Sequence, residues 1–378
     1  MPSSLEVIHG KLAVATTFAE IFGVLPKGDA VERERYLKLQ YRNLVKLTHP
    51  DRVPAQERTL ANSVFADLVQ FYEQARNALK AGTYQEKASA ASNARTAPAS
   101  DVVLTSSTQS YTIAGEAFVA GDFSNLHLGQ TKSGEAVLVK VAADFAANAY
   151  LAQEATFLRR VDMMPAAKGL KPYMPQLLDT LMLAEAGNEQ YRVNVFRHKP
   201  GFVSLTDIHA AYPQGLHPKD AAWIWRRLIA QALAAQVLGV VHGAIVPDHL
   251  LLNPQTHEPL HIGWVHSVER PQERQARITT VIDRFRDWYP PEVFAREIPT
   301  LQTDLYMVGK TMIYLAGGDV ARNRFPSHYP EIMKDTVAQL ISQNPGDRPR
   351  DGHVLLREFT TGIRSLWGTQ FRPLTLPK

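Results

Sequence analysis

The tripeptide His49-Pro50-Asp51 lies between two segments whose apolar residues repeat at helical spacing, and it limits how those segments can be joined. Asp29 can cap the first segment, which runs to about Thr48, and the second spans roughly residues 58–80. Pro50 lacks a backbone N–H and moves His49 out of the helical region, so the first helix must end there. The pattern predicts two helices joined by a short loop, with a histidine and a carboxylate presented at the loop.

The first of these helices carries a basic stripe. Lys38, Arg42 and Lys46 recur every four residues, away from the apolar face. Taken alone, such a stripe indicates a solvated helix surface. Its position directly before His49-Pro50-Asp51, with Arg52 following, favours a binding surface instead.

These features resemble the J domain, the co-chaperone module that stimulates the ATPase of DnaK-type chaperones. The Tyr-Arg-x-Leu sequence at 41–44 and the downstream aromatic residues Phe65, Phe71 and Tyr72 add to the resemblance. We therefore assign residues 1–84 to a J domain. The resemblance implies a surface that contacts the chaperone, formed by His49, Pro50, Asp51, Lys38, Arg42, Lys46 and Arg52.

A compositional change follows the second helix. Residues 85–110 are dominated by Ala, Ser, Thr and Asn, which bury too little apolar surface to order a chain, so we predict a flexible linker. From about residue 111 the pattern becomes strand-like, with a strand, turn and returning strand over 117–129. A third strand over 136–141 contains Lys140, and the next predicted helix contains Glu154.

In order and spacing, residues 111–366 resemble a protein kinase catalytic domain. The predicted fold class is therefore α+β multidomain: a helical J domain followed by a two-lobed protein-kinase-like fold. The matching positions are Lys140 and Glu154, His242 at the start of the catalytic loop, Pro290-Pro291-Glu292, Asp304 and Arg348. The resemblance implies structural roles for Glu292, Asp304 and Arg348, and a buried ion pair between Glu292 and Arg348. Lys140, Glu154 and Gly121 are either a relic that holds the small lobe together or part of a nucleotide site.

The sequence departs from the kinase pattern at the positions that take part in phosphoryl transfer. Phosphoryl transfer needs a carboxylate to orient the acceptor hydroxyl and two ligands for metal ions. Ala244 occupies the position of the catalytic aspartate and Gly243 that of the arginine before it, while His249 replaces the metal-binding asparagine. The Asp-Phe-Gly stretch has become Gly263-Trp264-Val265, and in the glycine-rich loop Val119 and Ser124 replace two of three glycines. We interpret the domain as a pseudokinase with no catalytic residue, in which Asp248 caps its loop rather than acting as a base.

The sequence favours no metal and no cofactor. Five histidines cluster in this region, at positions 242, 249, 257, 261 and 266. His257 and His261 have the spacing of a metal pair on a helix, but the surrounding pattern is strand-turn-strand. Residues 367–378 are predicted to form an extended C-terminal tail on the large lobe.

Composition excludes several classes of function. The 378-residue chain has a formal net charge of only +4 and no cysteine, which argues against nucleic-acid binding, disulfides and thiolate metal sites. No signal peptide or membrane helix is expected, and we predict a cytoplasmic protein.

Three hypotheses follow. The first is a J-domain co-chaperone whose inactive kinase-like domain binds a client or partner protein. The second is an atypical kinase or nucleotide-binding protein with an accessory J domain. The third is a scaffold in which neither module acts on a chaperone.

Overall fold

The computed structural model divides the chain into two compact units: residues 1–149 with 180–194, and residues 150–179 with 195–378. The residues that the structure describes are 5, 8–9, 12–13, 15, 17–22, 25, 30–48, 53, 55–84, 101–115, 117, 119–120, 123–144, 147–184, 190–369 and 371–376. Within them, no helix combines the length and the apolar character needed to cross a bilayer.

The N-terminal part of the first unit is helical. The helices with described bounds are α1 (Phe18–Phe22), α2 (Ala30–Thr48) and α3 (Arg58–Lys80). The second and third have the extents expected from the apolar spacing. Gly82 follows α3 with a φ of +72°, a conformation that glycine adopts without the steric penalty of a Cβ.

These helices have a hydrophobic core of their own. Leu37 of α2 and Val64 and Leu68 of α3 are fully buried in it. The rings of Tyr41 and Tyr72 stack at 4.1 Å between centroids, with 12° between their planes. The apolar face of each helix is therefore buried against its neighbour, as its periodicity predicts.

The chain also forms a seven-stranded sheet. Its strands are β1 (Val102–Thr105), β2 (Ser110–Ile113), β3 (Val119–Ala120), β4 (Ser124–Thr131), β5 (Ala136–Ala142), β6 (Leu177–Ala184) and β7 (Gln190–Arg197). The order is β1-β2-β4-β5-β7-β6, with β3 paired to β4.

The first strand corrects the predicted linker over 85–110. Val102–Thr105 pairs antiparallel with β2, with Val102 opposite Ile113 and Thr105 opposite Ser110. The run Val102-Val103-Leu104 has high strand propensity, and the neighbouring β2 supplies its hydrogen bonds. Local composition cannot predict these bonds, because it contains no information about the partner strand. The predicted linker therefore extends too far, and residues 85–100 lie outside the described residues.

The second unit is mainly helical. The helices are α4 (Ala147–Met163, entering from the first unit), α5 (Leu205–Ala211), α6 (Pro218–Val237), α7 (Pro271–Arg274), α8 (Pro291–Phe294), α9 (Leu301–Leu315), α10 (Glu331–Leu340) and α11 (Gly352–Trp367). Short strands accompany them: β8 (Val203–Ser204), β9 (Val240–Val241), β10 (Leu250–Leu252), β11 (Pro259–His261) and β12 (Val268–Glu269). One large core, centred on α6 and α9, holds the unit together.

The C-terminal segment lies along this unit. The backbone N–H of Leu374 donates to the carbonyl of Pro254 at 2.8 Å, and the Leu374 side chain is buried. Arg372 forms an ion pair with Asp220 at 2.8 Å. These contacts fix residues 371–376 as an extended strap across the N-terminal end of α6.

Candidate functional site

Most residues of the predicted chaperone-binding surface fall in or next to the connection between α2 and α3. Four of them lie outside the described residues: His49, Pro50, Asp51 and Arg52. Lys38 and Arg42 have exposed side chains on α2. Lys46 belongs to the same helix, but its side chain is outside the described part. The described cations are thus open to a partner.

The predicted nucleotide-site residues occupy three different settings. Gly121 lies outside the described residues. Lys140 is buried on β5 in the first unit, and Glu154 is fully buried on α4 in the second. Burial of a charged group requires compensating interactions inside the protein.

Asp304 holds the backbone where the catalytic-loop counterpart begins. Its two carboxylate oxygens accept the backbone N–H groups of His242 at 2.7 Å and Gly243 at 2.9 Å. Burial raises the pKa of Asp304 to about 7, although these two hydrogen bonds favour the ionised form. Gly243 has a φ of +71°, so the turn that receives both bonds uses a glycine conformation.

Glu292 and Arg348 come together inside the second unit. The guanidinium donates to both carboxylate oxygens, at 2.6 and 3.0 Å, and both side chains are almost completely buried. Arg348 also donates to the carbonyls of Ser342 at 2.8 Å and Gln302 at 3.0 Å. This buried bidentate ion pair links α8 to the segment before α11, and the carbonyl groups accept further hydrogen bonds from the guanidinium.

Ala244, His249 and Gly263, which the sequence predicts to correspond to phosphoryl-transfer positions of kinases, are held by packing and hydrogen bonding. Ala244 is fully buried, and its carbonyl oxygen lies 3.1 Å from Nδ1 of His249, which orients the imidazole. Gly263 has a φ of +81°, and a Cβ built on it would lie 2.5 Å from that same Nδ1. Heavy atoms do not approach so closely, so the His249 ring stands where a side chain at position 263 would begin. His249 and Gly263 are therefore coupled in space.

A stack of aromatic rings continues from this point. The rings of His242 and His261 are 3.8 Å apart and nearly parallel, and Trp264 meets His242 edge-on at 4.6 Å. Burial, together with neighbouring histidines, lowers the pKa of His242 well below its usual range and that of His261 to about 3. These rings are neutral at ordinary pH and pack as aromatic groups.

The histidines form no recognisable metal centre. His257 stacks on Phe371 at 4.4 Å, whereas His261 stacks on His242, so the two members of the suspected pair contact different partners. Among the described residues, no three metal-ligating side chains converge.

Asp248 differs from the loop cap expected from the sequence. It accepts a hydrogen bond from the Thr206 hydroxyl and forms an ion pair with Arg284 at 2.6 Å. It makes no capping bond in its own 3₁₀ turn, Pro247–His249. The carboxylate bridges separate segments because α5 and the segment before α8 both pass beside the loop.

Comparison with known proteins agrees with this architecture. The structure of vaccinia related kinase 3 superposes with a TM-score of 0.58 at 13% identity, covering 76% of this chain and 97% of that one. Most of this chain has a protein-kinase-like fold. In sequence, the chain is similar to the 3-phosphoinositide-dependent protein kinase 1 of Arabidopsis thaliana, with 27% identity over 183 residues. That alignment covers 40% of this chain and only 36% of the relative, and no family model matches the chain.

Within the kinase-like fold, sequence reasoning missed two contacts. The ring of His249 lies against Gly263, and Arg284 engages Asp248. No local sequence signal marks either contact, because each joins residues brought together by separate loops.

Proposed function

We propose that this protein is a J-domain co-chaperone whose kinase-like part binds a client or partner protein and transfers no phosphate. One observation supports the absence of phosphate transfer: Nδ1 of His249 lies 2.5 Å from the place that a Cβ at position 263 would occupy. A magnesium site needs hard oxygen ligands, and this arrangement has a ring nitrogen beside a position without a side chain. The domain then offers a kinase-like surface for binding but does not catalyse phosphoryl transfer.

The co-chaperone half rests on the N-terminal helices and on the motif between them. The α2–α3 pair buries its own core, while Lys38 and Arg42 of α2 are exposed. The sequence places His49-Pro50-Asp51 directly after α2. By resemblance to J domains, this surface meets an acidic face of a DnaK-type chaperone. A cysteine-free chain suits a reducing compartment such as the cytoplasm.

The first experiment measures ATP hydrolysis by a DnaK-type chaperone in single turnover, with the full-length chain added. We expect acceleration by the parent protein and its loss in Asp51→Asn, which removes a charge while nearly conserving volume. Glu73→Gln is the matched control, since it removes one charge from an exposed position of α3 and should leave the acceleration intact. Equal acceleration by Asp51→Asn and the parent would contradict the co-chaperone proposal.

The second experiment measures thermal unfolding of the full-length chain with ATP, in the presence and absence of magnesium. A ligand present at a hundred times its Kd stabilises a protein by about 2.7 kcal/mol, which such an assay detects easily. We expect no shift that depends on magnesium. A magnesium-dependent shift that Lys140→Ala abolishes would favour the atypical kinase instead, and would leave the co-chaperone result unaffected.

A further inference from the structure

A cleft of about 520 Å³ lies within the second unit, between α4 and the segment 265–280. Tyr150, Gln153 and Thr156 line it from the helix, and Arg274 and Arg277 from the segment opposite. Its volume falls in the range of about 300–1,000 Å³ that is typical of small-molecule sites. Neither proposed activity uses this cleft.

The side chains around the cleft carry an excess of positive charge. Its acidic lining residue, Glu269, already has two cationic partners: Arg160 at 2.9 Å and Arg274 at 3.5 Å. Arg277 adds a further guanidinium without an acidic partner among these residues. The lining therefore holds two guanidinium groups and one carboxylate, and that carboxylate is also paired with Arg160 outside the lining, a balance that favours an anionic ligand.

Arg277 is held in a fixed orientation. Its Nε donates to the carbonyl of Arg296 at 2.7 Å, and one terminal nitrogen donates to the carbonyl of Gln275 at 2.9 Å. A guanidinium has five N–H donors in one plane, so donors remain after these two bonds. A planar cation fixed in this way can bind a phosphate through two parallel hydrogen bonds without first losing side-chain freedom.

Backbone strain collects around the same arginines. Among the described non-glycine residues, five have positive φ, and three of them are Arg270 at 41°, Gln275 at 50° and Arg296 at 58°. Arg270 and Gln275 flank α7, which ends at Arg274, and Arg296 supplies the carbonyl that holds Arg277. Left-handed backbone at residues with a Cβ is costly, and it concentrates at ligand-binding sites, where the structure maintains it for function.

We propose that this cleft binds a phosphate ester. Arg277 and Arg274 contact the phosphoryl oxygens, and the hydroxyl groups of Thr279 and Thr280, which also line the cleft, are further donors. The volume exceeds the needs of a bare phosphate ion, so the organic group of the ester occupies the remaining space. The site needs no metal ion, and it stands independently of the co-chaperone and nucleotide experiments.

The test is calorimetric titration of the full-length protein with three probes: inorganic phosphate, phenyl phosphate and phosphothreonine. We expect saturable binding, tighter for the two esters than for inorganic phosphate. Arg277→Gln should weaken ester binding at least tenfold, and Arg274→Gln at least threefold. Whichever ester binds more tightly indicates whether the source is an aromatic metabolite-like ester or a phosphorylated side chain.

One control variant separates this site from general anion binding. Arg322→Gln breaks a comparable exposed ion pair, with Asp319 at 3.0 Å, and should leave binding unchanged. Loss of binding in Arg322→Gln, unchanged binding in Arg277→Gln, or the absence of saturation would overturn the proposal. Should Arg277→Gln fail to fold, Arg274→Gln decides, because its side chain is 59% exposed and its replacement leaves the core intact.

Discussion

Two sets of residues in the second unit contrast in chemistry. One set has buried ionisable side chains, and the other lies at the predicted catalytic-loop positions. Glu292, Arg348 and Asp304 have ionisable side chains that are buried and engaged by hydrogen bonds. Ala244, His249 and Gly263 offer no carboxylate, and they are held by packing. The two groups lie in the same unit, and Asp304 directly supports the backbone of the altered loop.

The difference teaches that residues needed for folding and residues that bind a ligand are under separate requirements. A buried ion pair that loses one partner leaves an uncompensated charge in the interior, so these residues are needed for folding whether or not the protein is an enzyme. Metal ligands contribute only when a metal and nucleotide are bound. Under the proposed function, in which no phosphate is transferred, the ligand positions are free to change while the buried ionisable residues stay.

The strongest test of this difference is Arg348→Ala. Leaving Glu292 buried without its partner should lower the free energy of unfolding by about 3–5 kcal/mol, a large share of the stability of a typical domain. All five tryptophans lie between residues 223 and 367, so tryptophan fluorescence during urea unfolding reports on the second unit alone.

Arg322→Ala is the matched control for this substitution. It removes an arginine from an exposed ion pair with Asp319, where solvent screens the interaction, and should leave the unfolding midpoint nearly unchanged. Equal midpoints for Arg348→Ala and the parent would mean that the buried pair is not needed for folding.

The next test restores a carboxylate at the altered loop. Gly263→Asp should destabilise the protein because its Cβ meets the His249 ring, and overpacking of this kind costs about 1–3 kcal/mol. The left-handed backbone adds a further cost of about 1–2 kcal/mol. Urea unfolding followed by tryptophan fluorescence measures the sum.

Gly239→Asp separates the two contributions. Gly239 has a similar φ of +73° but nothing within 4 Å of a built Cβ, so this variant carries the backbone cost alone. Adding His249→Ala to Gly263→Asp should recover the difference between the two variants. If the double variant is no more stable than Gly263→Asp, the imidazole is not what excludes a side chain at position 263.

The smallest expected effect concerns pH. The pKa of His261 falls to about 3 on burial, below the value of about 6.5 for an exposed histidine. Between these values the unfolded chain binds a proton that the folded chain does not, so acidification reduces stability. His261→Phe should remove this contribution, making the loss of stability between pH 6 and pH 4 shallower by about 1.4 kcal/mol per pH unit.

Asp304 acts in the opposite direction over much of this range, because its raised pKa of about 7 means that the folded chain takes up the proton first. For this reason the pH dependence of the stability of His261→Phe must be compared with that of the parent, because a single profile contains both contributions. Parallel profiles for His261→Phe and the parent would mean that His261 is not neutral in the folded protein.

Sequence alone determined the local elements. Apolar spacing gave the extents of α2 and α3, since a helix buries a stripe that repeats every three to four residues whatever its partners are. The strand around Lys140 and the long helix from Pro218 followed in the same way. The resemblance to kinases then gave the pairing of Glu292 with Arg348, because that motif order fixes which distant residues meet.

Tertiary structure decided the rest. Strand β1 was assigned to a linker because its hydrogen-bond partners on β2 are invisible to composition. The His249 ring against Gly263, the bridge from Asp248 to Arg284, and the arginines facing α4 all depend on how separate loops pack. Periodicity reports whether a residue is buried, but not what it is buried against. The contact between His249 and Gly263, and the cationic cleft, could therefore be found only in the folded chain.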